Sequence, residues 1–491
     1  MKLFLKEKDF AYEIENVLRM FLRDVCVVEG EPKKSDAETD YAYLRVSRRQ
    51  GKIKMLCILN ICTEKMYKSI ELDARHDVNL ELELACLLYD VLCSGFRKWP
   101  AWGVITGVRP AKFTAGLLLS GADEHEVRRV LCDRYRVYAP KAKLAIDTAI
   151  KGTELARNNA ANSYSLYVSI PFCPSRCSYC SFISKTVERD KKLMDVYVDM
   201  LCREINRTAN IAAELGLKLE SVYIGGGTPT VLSEQQLEKL TREMTACLPI
   251  NKAREFTVEA GRPDTITAGK LDILKRAGVD RISINPQTAN EQVLRNIGRS
   301  HSAADIEKAF ELARNAGIQS INADVIAGLP GDDISSFRDT LEWLFGLDPD
   351  NITVHALTLK RASGMNEFGG NPSRDASRMI DHAGDALLDR GYRPYYMYKQ
   401  KGTVDSLENT GYAKPNTECL YNIYMMDELH SVFACGAGAV TKLVNQKSGL
   451  IERVFNYKYP AEYINGFDAV TSRKEKIKEF YENKFRTQET V

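Results

Sequence analysis

The chain has 491 residues, with 68 Lys and Arg against 66 Asp and Glu, a formal net charge of +2. Such balance gives no gross electrostatic reason to bind nucleic acid or an anionic membrane. No apolar run approaches the roughly 20 residues that span a bilayer, and the opening Met1-Lys-Leu-Phe-Leu-Lys-Glu turns charged too early for a signal peptide, so the expectation is a cytoplasmic protein of two to four domains.

Residues 1–160 read as a separate α+β domain. Phe10 to Leu22 has helical apolar spacing, Tyr41–Val46 and Ile53–Ile61 look like strands, and Leu80–Leu92 is a strongly apolar helix. The stretch Trp99-Pro-Ala-Trp102-Gly-Val-Ile-Thr-Gly-Val-Arg109-Pro-Ala-Lys112 is dense in Trp, Gly and Pro. It reads first as a rigid turn packed under two indoles, and second as a docking surface for another domain or for substrate carboxylates through Arg109 and Lys112. Charged helices follow at Glu124–Tyr135 and Lys141–Asn158, then a polar linker, Asn158-Asn-Ala-Ala-Asn162.

From Leu166 to about Lys360 strand and helix alternate. Strands are predicted at Leu166–Ile170, Ser221–Ile224, Glu255–Ala260, Arg281–Ile284, Ser320–Ile326 and Asn351–Leu357, with helices between them near Leu193–Leu215, Ser233–Leu248, Ala268–Ala277, Ala304–Ala316 and Ser336–Leu347. Ser233 with Gln236 makes a capping box, and Gly278 and Gly317 stand where helix C-caps belong. Six strands joined by crossover helices imply a parallel sheet with right-handed connections, better suited to an incomplete (β/α)6 barrel than to a closed one of eight. Chemistry in such folds sits at the C-terminal ends of the strands.

The first strand runs into Tyr167-Val-Ser-Ile-Pro-Phe-Cys173-Pro-Ser-Arg-Cys177-Ser-Tyr179-Cys180-Ser-Phe182. Three cysteines at spacings of four and three can fold round one small inorganic body. A structural zinc site wants four ligands, and no Cys or His pair follows in the next hundred residues to complete one. A [4Fe-4S] cluster held by Cys173, Cys177 and Cys180, with its fourth iron left free, is the better reading; unrelated buried thiols or a zinc knuckle are the bland alternative. The second strand enters Gly225-Gly226-Gly227-Thr228-Pro-Thr, where backbone can approach a ligand without Cβ obstruction; no Gly-Lys-Ser/Thr follows to make a P-loop. Glu259 ends the third strand, Gln287 and Arg299 follow the fourth, and Asp324 lies on the fifth, before Gly328-Leu-Pro-Gly331. Singly, each could be a helix cap or a surface ion-pair partner. The ten remaining cysteines, of thirteen, are read as core thiols of a reducing compartment.

The C-x3-C-x2-C run resembles the signature of the radical S-adenosylmethionine (SAM) superfamily. Its surroundings, Tyr-x-x-Ile-Pro-Phe-Cys and Tyr-Cys-Ser-Phe, are similar to the oxygen-independent coproporphyrinogen III oxidase (dehydrogenase) branch, and the Trp99–Lys112 stretch to the N-terminal extension of that branch's longer, HemZ-type members. The resemblance spans roughly residues 165–445. It implies an α/β fold, a partial (β/α)6 radical SAM barrel over residues 161–362, between the N-terminal domain of 1–160 and a mixed α+β C-terminal extension of 363–491. It implies a [4Fe-4S] cluster on Cys173, Cys177 and Cys180 and a SAM site made by Tyr167, Tyr179, Gly226, Gly227, Thr228, Glu259, Gln287, Arg299 and Asp324, with Thr358 and Val440 where the surroundings diverge more. Tyr167 and the three cysteines would be the catalytic set.

The resemblance implies a reaction as well. An electron passed from a flavodoxin or ferredoxin through the cluster cleaves SAM to a 5′-deoxyadenosyl radical, which takes a hydrogen from the β-carbon of a propionate. Loss of carbon dioxide and one more electron leaves a vinyl group, and two rounds convert coproporphyrinogen III to protoporphyrinogen IX. Phe182 departs from the short-form oxidases, which have a further cysteine there, and puts a second SAM in doubt. Members with Phe include haem chaperones, whose His-Asn-x-x-Tyr-Trp motif is only echoed by Tyr421-Asn-Ile-Tyr424-Met. Haem transfer is therefore the second hypothesis. Beyond Lys360 a helix is predicted at Arg374–Arg390 and a strand at Arg393–Lys399, with tyrosines dense enough for a core or for a flat tetrapyrrole. A second glycine loop follows at Gly436-Ala-Gly438. The tail, Ser472–Val491, reads as a solvated charged helix.

Overall fold

Alternating apolar residues dictate the first sheet. In the computed structural model, which describes residues 1–5, 10–22, 24–36, 38–62, 64–74, 78–157, 159–160, 162–180, 185–359 and 371–486, Ile53, Met55, Cys57 and Leu59 of one strand all turn inward. That strand, β4 (Lys52–Ile61), lies in a five-stranded sheet with β1 (Lys2–Leu5), β2 (Cys26–Glu29), β3 (Tyr41–Arg49) and β5 (Glu64–Asp73), ordered β2-β1-β3-β4-β5. The helices Ala11–Arg19 and Leu80–Phe96 share its core. β1, β2 and β5 escape sequence reading: two are only four residues long, and β5 is an edge strand with most of its side chains exposed. Only one of the two indoles packs as expected, since Trp102 is buried and Trp99 is 68 % exposed.

Among the described residues the second sheet has eleven strands. Six of them run parallel in neighbouring positions: β6 (Ser163–Ile170), β9 (Lys218–Gly226), β10 (Glu255–Glu259), β11 (Arg281–Ser283), β12 (Ser320–Ala327) and β13 (Asn351–Ala356). Each of the six predicted strands is there, and the five predicted crossover helices lie between them, at Val187–Glu214, Glu234–Cys247, Ala268–Arg276, Ala303–Asn315 and Ile334–Gly346. A short helix, Glu291–Asn296, has no counterpart among the predicted elements. The Ser233–Gln236 capping box forms, and Gly278 and Gly317 take φ of +92° and +74° after their helices.

Among the described residues the sheet does not close. It continues through β16 (Ser431–Cys435), parallel to β6, into β17 (Val440–Val444) and β18 (Ile451–Phe455), and beyond β13 into β15 (Glu408–Ala413) and β14 (Arg393–Lys399). A two-residue pairing of β7 (Phe172–Cys173) with β8 (Lys185–Thr186) stands apart. The chain forms two compact units, Met1–Asp147 with Lys399–Leu407, and Thr148–Tyr398 with Glu408–Val491.

Two expectations are corrected. Cys26 and Cys62 are exposed, so the thiols outside the trio are not all core. The tail is not merely solvated: Ile477, Phe480 and Tyr481 are buried and Lys474 is 1 % exposed, because its amphipathic helix, Glu475–Arg486, has an apolar face to cover. Among the described residues no helix is long and apolar enough to cross a membrane.

Candidate functional site

The parallel strands place the cysteine loop, Gly226, Gly227, Glu259 and Gln287 at or just past their C-terminal ends, while Tyr167 and Asp324 lie inside β6 and β12. β6 stops at Ile170, and the segment after it is stitched to the glycine run after β9: Gly227 N–H donates to Ile170 O at 2.8 Å and Thr228 N–H to Phe172 O at 2.8 Å. A Cβ on Gly227 would stand 2.5 Å from Phe172 O and 2.9 Å from Cys173 Sγ. Only glycine permits that approach. Thr228 is buried and its hydroxyl lies 3.5 Å from Cys173 Sγ. Gly226 takes φ +117°, and a Cβ there would stand 3.0 Å from the backbone of Ile170.

The rest of the cysteine loop is fixed by backbone bonds, Ser178 N–H to Ile297 O and Cys180 N–H to Cys177 O, each at 3.1 Å. Cys177 is buried, yet its thiol is held below the ordinary value: burial opposes ionisation, but the guanidiniums of Arg299 and Arg262 outweigh it. Among the described residues no three Cys, His, Asp or Glu side chains converge so as to hold a single metal ion. A cubane cluster presents a separate iron to each thiolate, so its ligands need not converge on one point.

Arg299 is buried, and its Nη1 donates to Asn285 O at 2.7 Å and Gly261 O at 3.1 Å. Burial disfavours its charge, but Tyr179 and Cys177 hold it firmly protonated. Among the described residues its Nε has no hydrogen-bond partner, nor do Gln287 Oε1 and Asn285 Oδ1. Gln287 takes φ +68° and is 5 % exposed. Orphaned buried donors and acceptors are costly unless something else satisfies them, and here they crowd the strand ends beside the cysteine loop.

A carboxylate pair completes this face. Glu259, at the end of β10, accepts from Tyr223 Oη at 2.8 Å. Burial pushes its carboxyl up to about 7, aided by the nearby charge of Asp324 and offset by the Tyr223 and Gly226 hydrogen bonds. Asp324 accepts from Asn322 Nδ2 at 2.8 Å and faces His355 Nε2 at 3.6 Å. Burial would raise it, but His355 and Asn322 keep it below the usual carboxylate value, and the same pairing lifts His355 above its own. Two carboxyls on the same sheet are thus driven apart in acidity.

Tyr167 is half-buried and stacks on both Tyr223 and Tyr421, with ring centroids 6.2 Å away in each case, while Tyr223 and Tyr421 stack at 4.4 Å. Thr358 follows β13, one strand beyond Asp324, with its hydroxyl donating to Ala356 O. Val440 opens β17, two strands beyond β6 on the side away from β9. The second glycine loop, just ahead of it, is tied to the end of β6 by Ser169 Oγ donating to Ala437 O at 2.9 Å. Phe182 lies outside the described residues. Sequence reading did not single out Tyr223, Arg262 or His355. Tyr223 was legible beside its glycine run and His355 as a lone histidine in an apolar strand, while Arg262 follows the Glu259-Ala-Gly turn by one position.

The donor set fits an iron–sulfur cluster with a zwitterionic nucleoside beside it: three thiols on one loop, a glycine cradle, a buried guanidinium, two carboxyls and unfilled polar atoms. Comparison with known proteins agrees with that chemistry. Residues 167–344 match the radical SAM superfamily. The chain is 35 % identical, over 77 % of each sequence, to the oxygen-independent coproporphyrinogen-III oxidase-like protein HemZ of Bacillus subtilis. It is 30 % identical to the heme chaperone HemW of Escherichia coli, over 67 % of this chain and 83 % of the other. A solved structure of the coproporphyrinogen III oxidase HemN of Escherichia coli, a radical SAM enzyme, shares the fold with a TM-score of 0.52 at 24 % identity, over 66 % of this chain and 73 % of that one.

Proposed function

We propose that this chain, which belongs to the radical SAM superfamily, oxidatively decarboxylates the propionates of coproporphyrinogen III to the vinyl groups of protoporphyrinogen IX. The observation that carries this reading is Cys177 of the cysteine run beside the buried Arg299, with buried carboxyls at Glu259 on β10 and Asp324 on β12. Together with the oxidase-like relative, they favour an enzyme over a bare binding protein.

Cys173, Cys177 and Cys180 would hold a [4Fe-4S] cluster, and Glu259, Gln287, Arg299 and Asp324 would hold SAM. When bound, that pair supplies reductive cleavage of a sulfonium and hydrogen abstraction from carbon. The protein's own part is positional. Arg299 offers a fixed cation to a carboxylate, Gln287 Oε1 an acceptor to an ammonium, and Glu259 and Asp324 acceptors to hydroxyls or an ammonium. Gly227 lets backbone reach the ligand. The Tyr167–Tyr223–Tyr421 stack walls one side with flat aromatic surface and excludes water there.

A second reading has one specific observation behind it, the long match to a heme chaperone. One anaerobic experiment separates the two. With reductant, SAM and coproporphyrinogen III, the enzyme yields protoporphyrinogen IX and cleaved nucleoside in step, read by mass spectrometry. Stoichiometric haem uptake without SAM turnover would assign the chain to haem transfer, and SAM cleavage without decarboxylation would reject this substrate.

A further inference from the structure

Arg262 is 4 % exposed, an unusual place for a guanidinium whose carboxylate neighbour, Asp264, is itself 41 % exposed and 3.4 Å away. The backbone puts it there. It precedes the turn Pro263–Thr265 at the end of β10, with Thr265 N–H donating to Arg262 O, and that turn is locked by Thr265 Oγ1 against Thr230 Oγ1 at 2.6 Å. The side chain then reaches into the cysteine loop. Nη1 stands 3.3 Å from Cys177 Sγ and Nη2 donates to Ser175 Oγ at 2.7 Å. Arg299 already supplies a cation on the same side, and its orphaned Nε argues for a ligand of its own. Arg299 also faces Cys177, but both donors of the Arg262 fork go to the cysteine loop, one to that sulfur and one to Ser175.

We propose that Arg262 is a positioning residue that tunes the cluster, donating an N–H···S hydrogen bond to Cys177 and raising the potential at which the cluster takes up its electron. This rests on the cysteine loop being the cluster site, as proposed above. The physical reason is direct. The reduced cluster carries one more negative charge than the oxidised form, and charge and hydrogen bonds at the ligating sulfurs set its potential. A buried cation with two donors aimed at the loop stabilises the reduced form more than the oxidised one. The electron comes singly from a one-electron donor protein of low potential, and no bond is made or broken at Arg262.

The test is an EPR-monitored potentiometric titration of the anaerobically reconstituted full chain, for the parent, Arg262→Met and Arg262→Lys, with iron and sulfide content and a thermal melt for each. Arg262→Met is expected to keep its iron and to lower the reduction equilibrium constant about tenfold, a midpoint about 59 mV more negative for one electron. Arg262→Lys, which keeps the charge without the fork, is expected to fall between. Equal midpoints in parent and Arg262→Met overturn the proposal. So does loss of iron from both variants at unchanged melting temperature, because Arg262 would then hold the loop and not tune it. A parent that assembles no cluster refutes the functional reading itself, a different result from an assembled cluster indifferent to Arg262.

Discussion

A carboxyl that titrates near neutrality beside one that stays ionised gives the site its own pH dependence. Glu259 is pushed up to about 7 by burial, whereas an unfolded glutamate ionises near 4.3. Below both values the group is neutral in either state and costs nothing. Between them the unfolded chain has released its proton and the folded one has not, so stability falls by about 3 kcal/mol as pH rises from 4 to 7 and stays lower above it. Binding runs the other way if the ionised carboxylate is the form that accepts from SAM. Glu259→Gln is therefore expected to raise the melting temperature at pH 8 but not at pH 4, and to flatten a SAM affinity that in the parent tightens between pH 6 and 8. Calorimetric titration across that range and melts at pH 4 and 8 read both. A parent affinity that does not change between pH 6 and 8 would remove Glu259 from the binding role. The His355–Asp324 pair has two edges. The raised histidine stabilises below about 6.5 and loses this as pH climbs through its folded value. The lowered Asp324 stabilises above about 3.9 and loses this as pH falls through its own.

Elements show where sequence reading reached and where it stopped. The six parallel strands were legible because each is short, apolar and followed by an amphipathic helix, and local spacing suffices for both. Glu259 was legible as a polar residue ending its strand, whereas Asp324, inside β12, and Arg299, beyond the helix Glu291–Asn296, were singled out through the family resemblance. The tail was not, because what makes it part of the molecule is a distant partner. Lys474, just ahead of the helix Glu475–Arg486, is 1 % exposed and places Nζ 2.7 Å from Oε1 of Glu204, which is fully buried on the helix Val187–Glu214. Glu204 also accepts from Tyr463 Oη at 2.7 Å and from Gly436 N–H at 2.8 Å, so the tail reaches the second glycine loop through one carboxylate. No periodicity in the tail reveals that. Breaking a buried pair from one side leaves an uncompensated charge, and Lys474→Met is expected to cost about 3–5 kcal/mol in urea denaturation. Adding Glu204→Gln removes the stranded charge and should return part of that loss. A double variant no more stable than the single one would mean that the lysine acts by packing alone.

At the scale of the whole chain, the candidate site and the N-terminal sheet belong to different compact units. Every residue assigned to cluster or SAM lies in Thr148–Tyr398 or Glu408–Val491. The other unit has its own five-stranded sheet and its own apolar core, and it borrows one distant segment, Lys399–Leu407. Within that unit Lys399 is 6 % exposed, donates from Nζ to Ile105 O at 2.9 Å and lies over the Trp102 ring at 5.7 Å, while Asp405 pairs with Lys98 at 2.8 Å. The Trp99–Lys112 stretch thus has a structural use that composition alone did not disclose, since its partner Lys399 stands 294 positions from Ile105. Deleting residues 1–147 strips Lys399 and Asp405 of these partners and exposes a buried lysine stem. The shortened chain is expected to keep the iron and sulfide of the full chain after anaerobic reconstitution, and to become cleavable by protease between 399 and 407, where the parent resists. Such nicking concentrates in chain segments that lose burial and hydrogen bonding. Iron lost together with the deleted residues would instead make the N-terminal unit a condition for building the cluster loop, and the site would then have to be sought in the chain as a whole.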